Sequence, residues 1–151
     1  MDYRGEAQVI KMAKDLPDMT LKPIGFVRNQ VKQTPKPGYD WQRVVSEIVF
    51  DSSLSEALDN LDDFSHIIVF YWMHQAATGQ LPTKVHPRGE RGLPLVGLFA
   101  SRSPYRPNPI GKATVRLLER KSNILKVEGL DAIDGTPVID IKPYLADLDS
   151  P

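Results

Sequence analysis

The chain has 151 residues, 19 basic against 19 acidic, with 41% hydrophobic and 25% charged side chains and no cysteine. That length holds one domain with a real core, and the composition excludes collagen, low-complexity and wholly disordered chains. Missing cysteine excludes a disulfide framework, a thiolate nucleophile and any metal site built on sulfur; with no secretory leader and no apolar run near about 18 residues, a cytoplasmic protein without a membrane span is expected.

Residues 1–20 read as a peripheral leader, with a short helix around Ala7 to Lys14 that Pro17 ends. Leu21 to Arg28 reads as a strand, with a bulge at Gly25. Gln30 to Asp40, with Pro35, Pro37 and Gly38, is a loop. Gln42 to Phe50 alternates apolar and polar residues and is a strand. Ser53 and Glu56 have capping-box spacing, which predicts a short helix to about Leu61.

His66 to Trp72 is a continuous apolar run rich in strand formers, the pattern of a central strand buried on two sides. Gln80 to Pro94, with three prolines, is a long loop, and loops of that length are often functional. Leu95 to Ala100 reads as a strand. Ser101 to Gly111 cannot be regular, because Pro104, Pro107 and Pro109 each remove a donor and restrict φ. Ala113 to Glu119 and Ile124 to Leu130 alternate across a turn and form a hairpin. Asp134-Gly135 is a turn before a last strand over Val138 to Ile141. Many short strands with one helix indicate an antiparallel sheet or barrel.

Charge is unevenly spread. Between Lys84 and Lys121 stand nine basic residues against Glu90 and Glu119. Such a stretch suits a polyanion, and equally a solvated face. There is no Gly-x-Gly-x-x-Gly, no P-loop and no Gly-x-Ser-x-Gly. The histidines, His66, His74 and His86, lack metal-ligand spacing. The most informative segment runs from Phe99 to Gly111, FASRSPYRPNPIG. Its prolines stiffen it before any ligand arrives, and its arginines suit an anion or nucleotide; a purely structural corner is the alternative.

Together with Asp63-Phe-Ser-His66, His74-Gln75 and the stretch from Asp134 to Tyr144, DGTPVIDIKPY, that segment resembles the TsaA-like family of tRNA threonylcarbamoyladenosine N6-methyltransferases. The resemblance spans roughly Leu21 to Leu145. It implies a mainly β fold, a small antiparallel β-barrel with one short helix and long functional loops, over 21–151. It implies S-adenosylmethionine (S-adenosyl-L-methionine) as methyl donor, tRNA as substrate, no metal, and a homodimer with the active site near the subunit interface. The family's cofactor site maps onto Pro37, Gly38 and Tyr39, His74 and Gln75, Arg102, Lys112, and Glu128, Gly129, Leu130 and Asp131. Lys112 replaces an apolar residue of a bacterial relative, so its backbone is what matters there. Glu128-Gly129 replaces a glycine–serine pair.

Methyl transfer from a sulfonium needs alignment of acceptor, methyl carbon and sulfur more than it needs a metal or a covalent intermediate. The acceptor nitrogen of threonylcarbamoyladenosine is weakly nucleophilic, so a group that polarises it or takes its proton should help. Tyr105, Arg106, Asn108 and Asp134 are the catalytic candidates, although Asp134 also has the plain reading of a turn residue. Arg88, Arg91 and Arg106 are the candidates for tRNA phosphates. Two other readings stand beside this one: a non-catalytic barrel that binds nucleotide or RNA, and a methyltransferase of small molecules.

Overall fold

The computed structural model describes residues 15–76, 79 and 81–151; the expected leader helix lies outside them. The described residues form eight strands: β1 (Gly25–Arg28), β2 (Val45–Phe50), β3 (His66–Trp72), β4 (Lys84–Val85), β5 (Val96–Gly97), β6 (Ile110–Lys121), β7 (Ile124–Glu128) and β8 (Pro137–Pro143). Six of them close an antiparallel barrel in the order β1-β2-β7-β6-β3-β8, and β4 pairs with β5 outside it. A short helix, α1 (Ala146–Asp149), follows β8.

β3 lies between β6 and β8, as its apolar run requires. Ile67, Val69 and Tyr71 point into the barrel, where they join Val27, Ile48, Val115, Leu125, Val127 and Val138. Ile68, on the opposite face, is buried as well. The period of two thus fills the barrel interior, and the intervening position is covered from outside. β6 is long enough to pair with β3 through Arg116 and with β7 beyond it, and its register shifts between Leu117 and Glu119. Such an irregularity lets one strand bend from one neighbour to the next.

Several local expectations change. Gly25 is not in a bulge; it pairs regularly with Phe50 and Val138, and a Cβ there would lie 2.5 Å from the Val49 carbonyl oxygen. The need is close approach of backbones. The segment after β2 is a 3-10 helix, Ser52–Leu58, and its cap is Asp51 rather than Ser53. Asp51 accepts from the Ser53 N–H at 2.9 Å, so the acid two residues earlier takes the capping role. Arg120 secures this helix, donating to Asp59 Oδ1 and the Ser55 carbonyl, each at 2.8 Å. One arginine of the basic stretch is therefore spent on the fold. The expected strand Leu95 to Ala100 contains only β5, followed by a 3-10 turn over Leu98–Ala100.

Candidate functional site

The site grows from one end of the barrel, where three segments meet. β3 leads through Met73 into His74, Gln75 and Ala76. The Met73 N–H donates to the Pro109 carbonyl at 2.8 Å, which ties the exit of β3 to the proline loop. Within that loop serines supply what the prolines cannot. Ser101 Oγ donates to the Leu98 carbonyl and accepts from the Ser103 N–H, while Ser103 Oγ accepts from the Tyr105 N–H. Arg106 closes the loop by donating Nη1 to the Ser101 carbonyl at 3.0 Å and the Ser103 carbonyl at 3.3 Å. Its guanidinium sits 5.5 Å from the centre of the exposed Phe99 ring.

The third segment is the connection from β7 to β8. A buried amide fastens it. Asn29 Nδ2 donates to Ser46 Oγ at 2.9 Å and to the Ala132 carbonyl at 2.8 Å, and Asn29 Oδ1 accepts from the Val31 N–H. Leu130 is fully buried in the core and Ala132 nearly so. Asp131 between them is exposed and faces a cleft. Its Oδ1 accepts from the Tyr71 hydroxyl at 2.8 Å. Burial pushes the Tyr71 phenol far above its ordinary pKa, and the neighbouring carboxylate adds to the shift, so the hydroxyl stays a donor.

Two adjoining cavities of about 190 and 430 Å³ meet at Tyr71 and Asp131. Together they have the size of a small-molecule site, roughly 300–1,000 Å³. The first is walled by Pro35, Trp41, Met73 and Ile133, with His74, Gln75 and Tyr105 at its edge. Arg102, Arg106 and Lys112 line the second. Arg102 Nη2 donates to the Lys112 carbonyl at 3.3 Å. Seven of the residues singled out from sequence therefore converge: His74, Gln75, Arg102, Tyr105, Arg106, Lys112 and Asp131.

Others do not line these cavities. Pro37, Gly38 and Tyr39 are among these; Tyr39 packs edge-on against Trp41, a residue of the first cavity, with ring centres 5.0 Å apart. Glu128 and Gly129 continue β7 toward β2, the Gly129 N–H donating to the Val44 carbonyl, and the Leu130 side chain belongs to the core. Asn108 lines a separate groove with Met19, Trp72 and Ile139. Asp134 is a corner residue: it accepts from the Asn29 N–H and from Lys32 Nζ, both at 2.9 Å. Those two contacts hold its carboxyl below the usual range. Arg88 and Arg91 are exposed beyond β4, Arg88 at a positive φ of 56° in a 3-10 turn, Pro87–Gly89. Among the described residues no three His, Asp or Glu side chains gather as metal ligands, and no helix is long and apolar enough to cross a membrane.

Trp41, Tyr71 and Met73 were not among the sequence candidates. Trp41 and Met73 give no sign of their place, but Tyr71 does: it puts a hydroxyl into an apolar strand where phenylalanine would pack without one.

A family model described as the tRNA-methyltransferase O N-terminal domain matches residues 27–150. A probable S-adenosyl-L-methionine-binding protein of Methanothermobacter thermautotrophicus is 45% identical over 136 residues, covering 88% of this chain and 95% of its own. The tRNA (adenine(37)-N6)-methyltransferase of Escherichia coli is 44% identical over 95 residues, 60% of this chain and 40% of the enzyme. A crystal structure of TrmO from Pseudomonas aeruginosa superposes with a TM-score of 0.72 at 30% identity, over 91% of this chain and 60% of that one. The chain thus spans about three fifths of that solved structure and less of the bacterial enzyme, but nearly all of the archaeal relative. With the barrel, the proline loop and a match over most of its length, the chain belongs to the family of the tRNA-methyltransferase O N-terminal domain.

Proposed function

We propose that the cleft binds S-adenosylmethionine and that the chain transfers its methyl group to N6 of an adenine in tRNA, with a threonylcarbamoyl-bearing adenine as the specific acceptor. The observation that carries this is that Asp131, where an apolar and a basic cavity join, shares the basic cavity with Arg102. This donor set fits the cofactor. A carboxylate accepts from ribose hydroxyls or an ammonium group, a guanidinium takes a carboxylate, and Trp41 and Ile133 offer an apolar wall for adenine. Names of relatives support the reading: the E. coli and mouse proteins are tRNA (adenine(37)-N6)-methyltransferases.

The bound sulfonium supplies an already activated methyl group. The chain's task is then to align and enclose. His74 and Gln75 offer polar contacts at the cleft edge. Tyr105 and Arg106, held in the stiff loop, line the two cavities and can polarise the carbamoyl carbonyl borne on N6 of the acceptor. Asp134 and Asn108 take no part in this reading; the first secures a corner and the second faces another groove. Arg88 and Arg91 serve tRNA phosphates outside the cleft. Leu93, Leu95 and Phe99, all exposed, suit contact with a second copy in a homodimer. Residues 1–20 are a leader to the barrel domain 21–151, and the protein acts in the cytoplasm on tRNA without a metal.

The archaeal relatives are named for binding alone, which favours a second reading, a barrel that binds the cofactor without transfer. One experiment separates them: methyl transfer from labelled S-adenosylmethionine to tRNA carrying or lacking the threonylcarbamoyl group. Label only in modified tRNA is the expected result. Label in both removes the acceptor specificity, and binding without label leaves the second reading.

A further inference from the structure

We infer that Tyr71 is a positioning residue that fixes the Asp131 carboxylate for a ligand bearing hydroxyl or ammonium donors, taking Oδ1 and leaving Oδ2 for the ligand. The inference rests on the cofactor reading of the cleft. Tyr71 is 5% exposed and points into the barrel with Ile67 and Val69. A phenylalanine would fill that space with no polar atom to satisfy. The hydroxyl instead emerges where the two cavities join and donates to Asp131 Oδ1 at 2.8 Å.

Two features of the fold aim the ring. The alternation of β3 puts it on the inner face with Ile67 and Val69, and the register shift against β8 between Phe70 and Tyr71 leaves its extra residue, Ile139, on β8. Directly across on β6 stands Gly111, where a Cβ would fall 2.4 Å from the ring. The ring occupies the volume that any other residue at 111 would take.

The backbone of Asp131 is already secured, by buried Leu130 before it and by Ala132 after it, whose carbonyl accepts from Asn29. What remains loose is the carboxylate's own torsion. The Tyr71 hydroxyl removes that freedom before a ligand arrives, which lowers the ordering cost of binding.

The test is a double-mutant cycle of Tyr71→Phe and Asp131→Ala, with S-adenosylmethionine affinity by calorimetry and Tm for each protein. Tyr71→Phe is expected to weaken binding about three- to tenfold, the scale of one lost hydrogen bond, with Tm nearly kept. In the Asp131→Ala background, where no side-chain acceptor is left for the hydroxyl, it should have no further effect, because Tyr71 acts through that carboxylate. Gly111→Ala, which displaces the ring, should weaken binding in the same way. Wild-type affinity in Tyr71→Phe while Asp131→Ala binds weakly overturns the inference alone. So do effects that multiply in the double variant, or a Tyr71→Phe protein that melts far below wild type, since the hydroxyl is then an element of the fold. A wild type that binds no S-adenosylmethionine, or an Asp131→Ala protein that binds as wild type, overturns the cofactor reading and this inference with it.

Discussion

Asp131 and Asp134 stand three residues apart on one connection, yet they belong to different parts of the molecule. The Asp134 carboxylate turns outward and is consumed by Asn29 and Lys32. The Asp131 carboxylate turns into the cleft, and its one side-chain hydrogen bond among the described residues comes from a hydroxyl arriving from inside the barrel. Residue type did not separate them. Partners did: a carboxylate that closes a turn has no lone pairs directed at a ligand, and one held from a single side does. The buried Asn29 fastens the corner that makes this division, since it reaches Ser46, Ala132 and Val31 together.

The largest effect is expected from removing that fastener. Asn29→Ala leaves several buried polar groups without a partner, at a cost of about 2–4 kcal/mol of stability. Urea unfolding measures it; a loss below about 1 kcal/mol, as for an ordinary surface substitution, would mean the corner does not depend on this amide.

Next is the cleft side. Asp131→Ala should weaken S-adenosylmethionine binding by about 1.5–3 kcal/mol, tenfold or more, with the melting temperature almost unchanged. Asp134→Ala should do the reverse. If calorimetry and melting give the two substitutions the same profile, the contrast between the acids collapses.

A smaller effect sharpens the contrast by pH. Asp134 is held below its ordinary value of 3.8 in the folded state by the Asn29 N–H and Lys32. A depressed carboxyl adds stability above its unfolded pKa and loses it as pH falls through the folded value. Asp134→Asn should therefore be less stable than wild type at neutral pH, and the gap should narrow below about pH 4. A gap that stays constant down to pH 2 would show that the charge of Asp134 is not what counts.

The smallest effect extends the comparison to the arginines. Arg120 is bound to the fold, while Arg88 and Arg91 are exposed. Arg88→Ala with Arg91→Ala should reduce the salt dependence of tRNA binding by about one or two phosphate contacts, leaving cofactor affinity as it was. Equal slopes in paired salt titrations would return these residues to a solvated face.

What was legible from sequence follows the reach of local signals. Alternation in Val45–Phe50 and Ile124–Glu128, the apolar run His66–Trp72 and the Asp134-Gly135 turn set most of the barrel strands without reference to the rest of the chain. Motif content pointed to the family. The cap was placed at Ser53, two residues too late, because Asp51 and Ser53 both have cap chemistry and only the backbone path chooses. Within the proline loop, sequence placed Arg106 and Asn108 side by side as candidates. The structure sends the first toward the cleft and the second to another groove.

By itself, then, the sequence determined most of the barrel strands, the stiff loop and the family, since each rests on residues close in the chain or on long motifs. Tertiary structure alone decided that the barrel closes through β1 and β8, and that Pro35, Trp41, His74, Tyr105 and Asp131 share one cleft. It alone decided that Tyr71 reaches Asp131 across 60 positions of sequence, and that Asp134 does not face the same way. The physical reason is one of direction. Periodicity tells which face of a strand is apolar, but where a polar side chain at a strand end or in a loop points is set by the partners that closure brings to it.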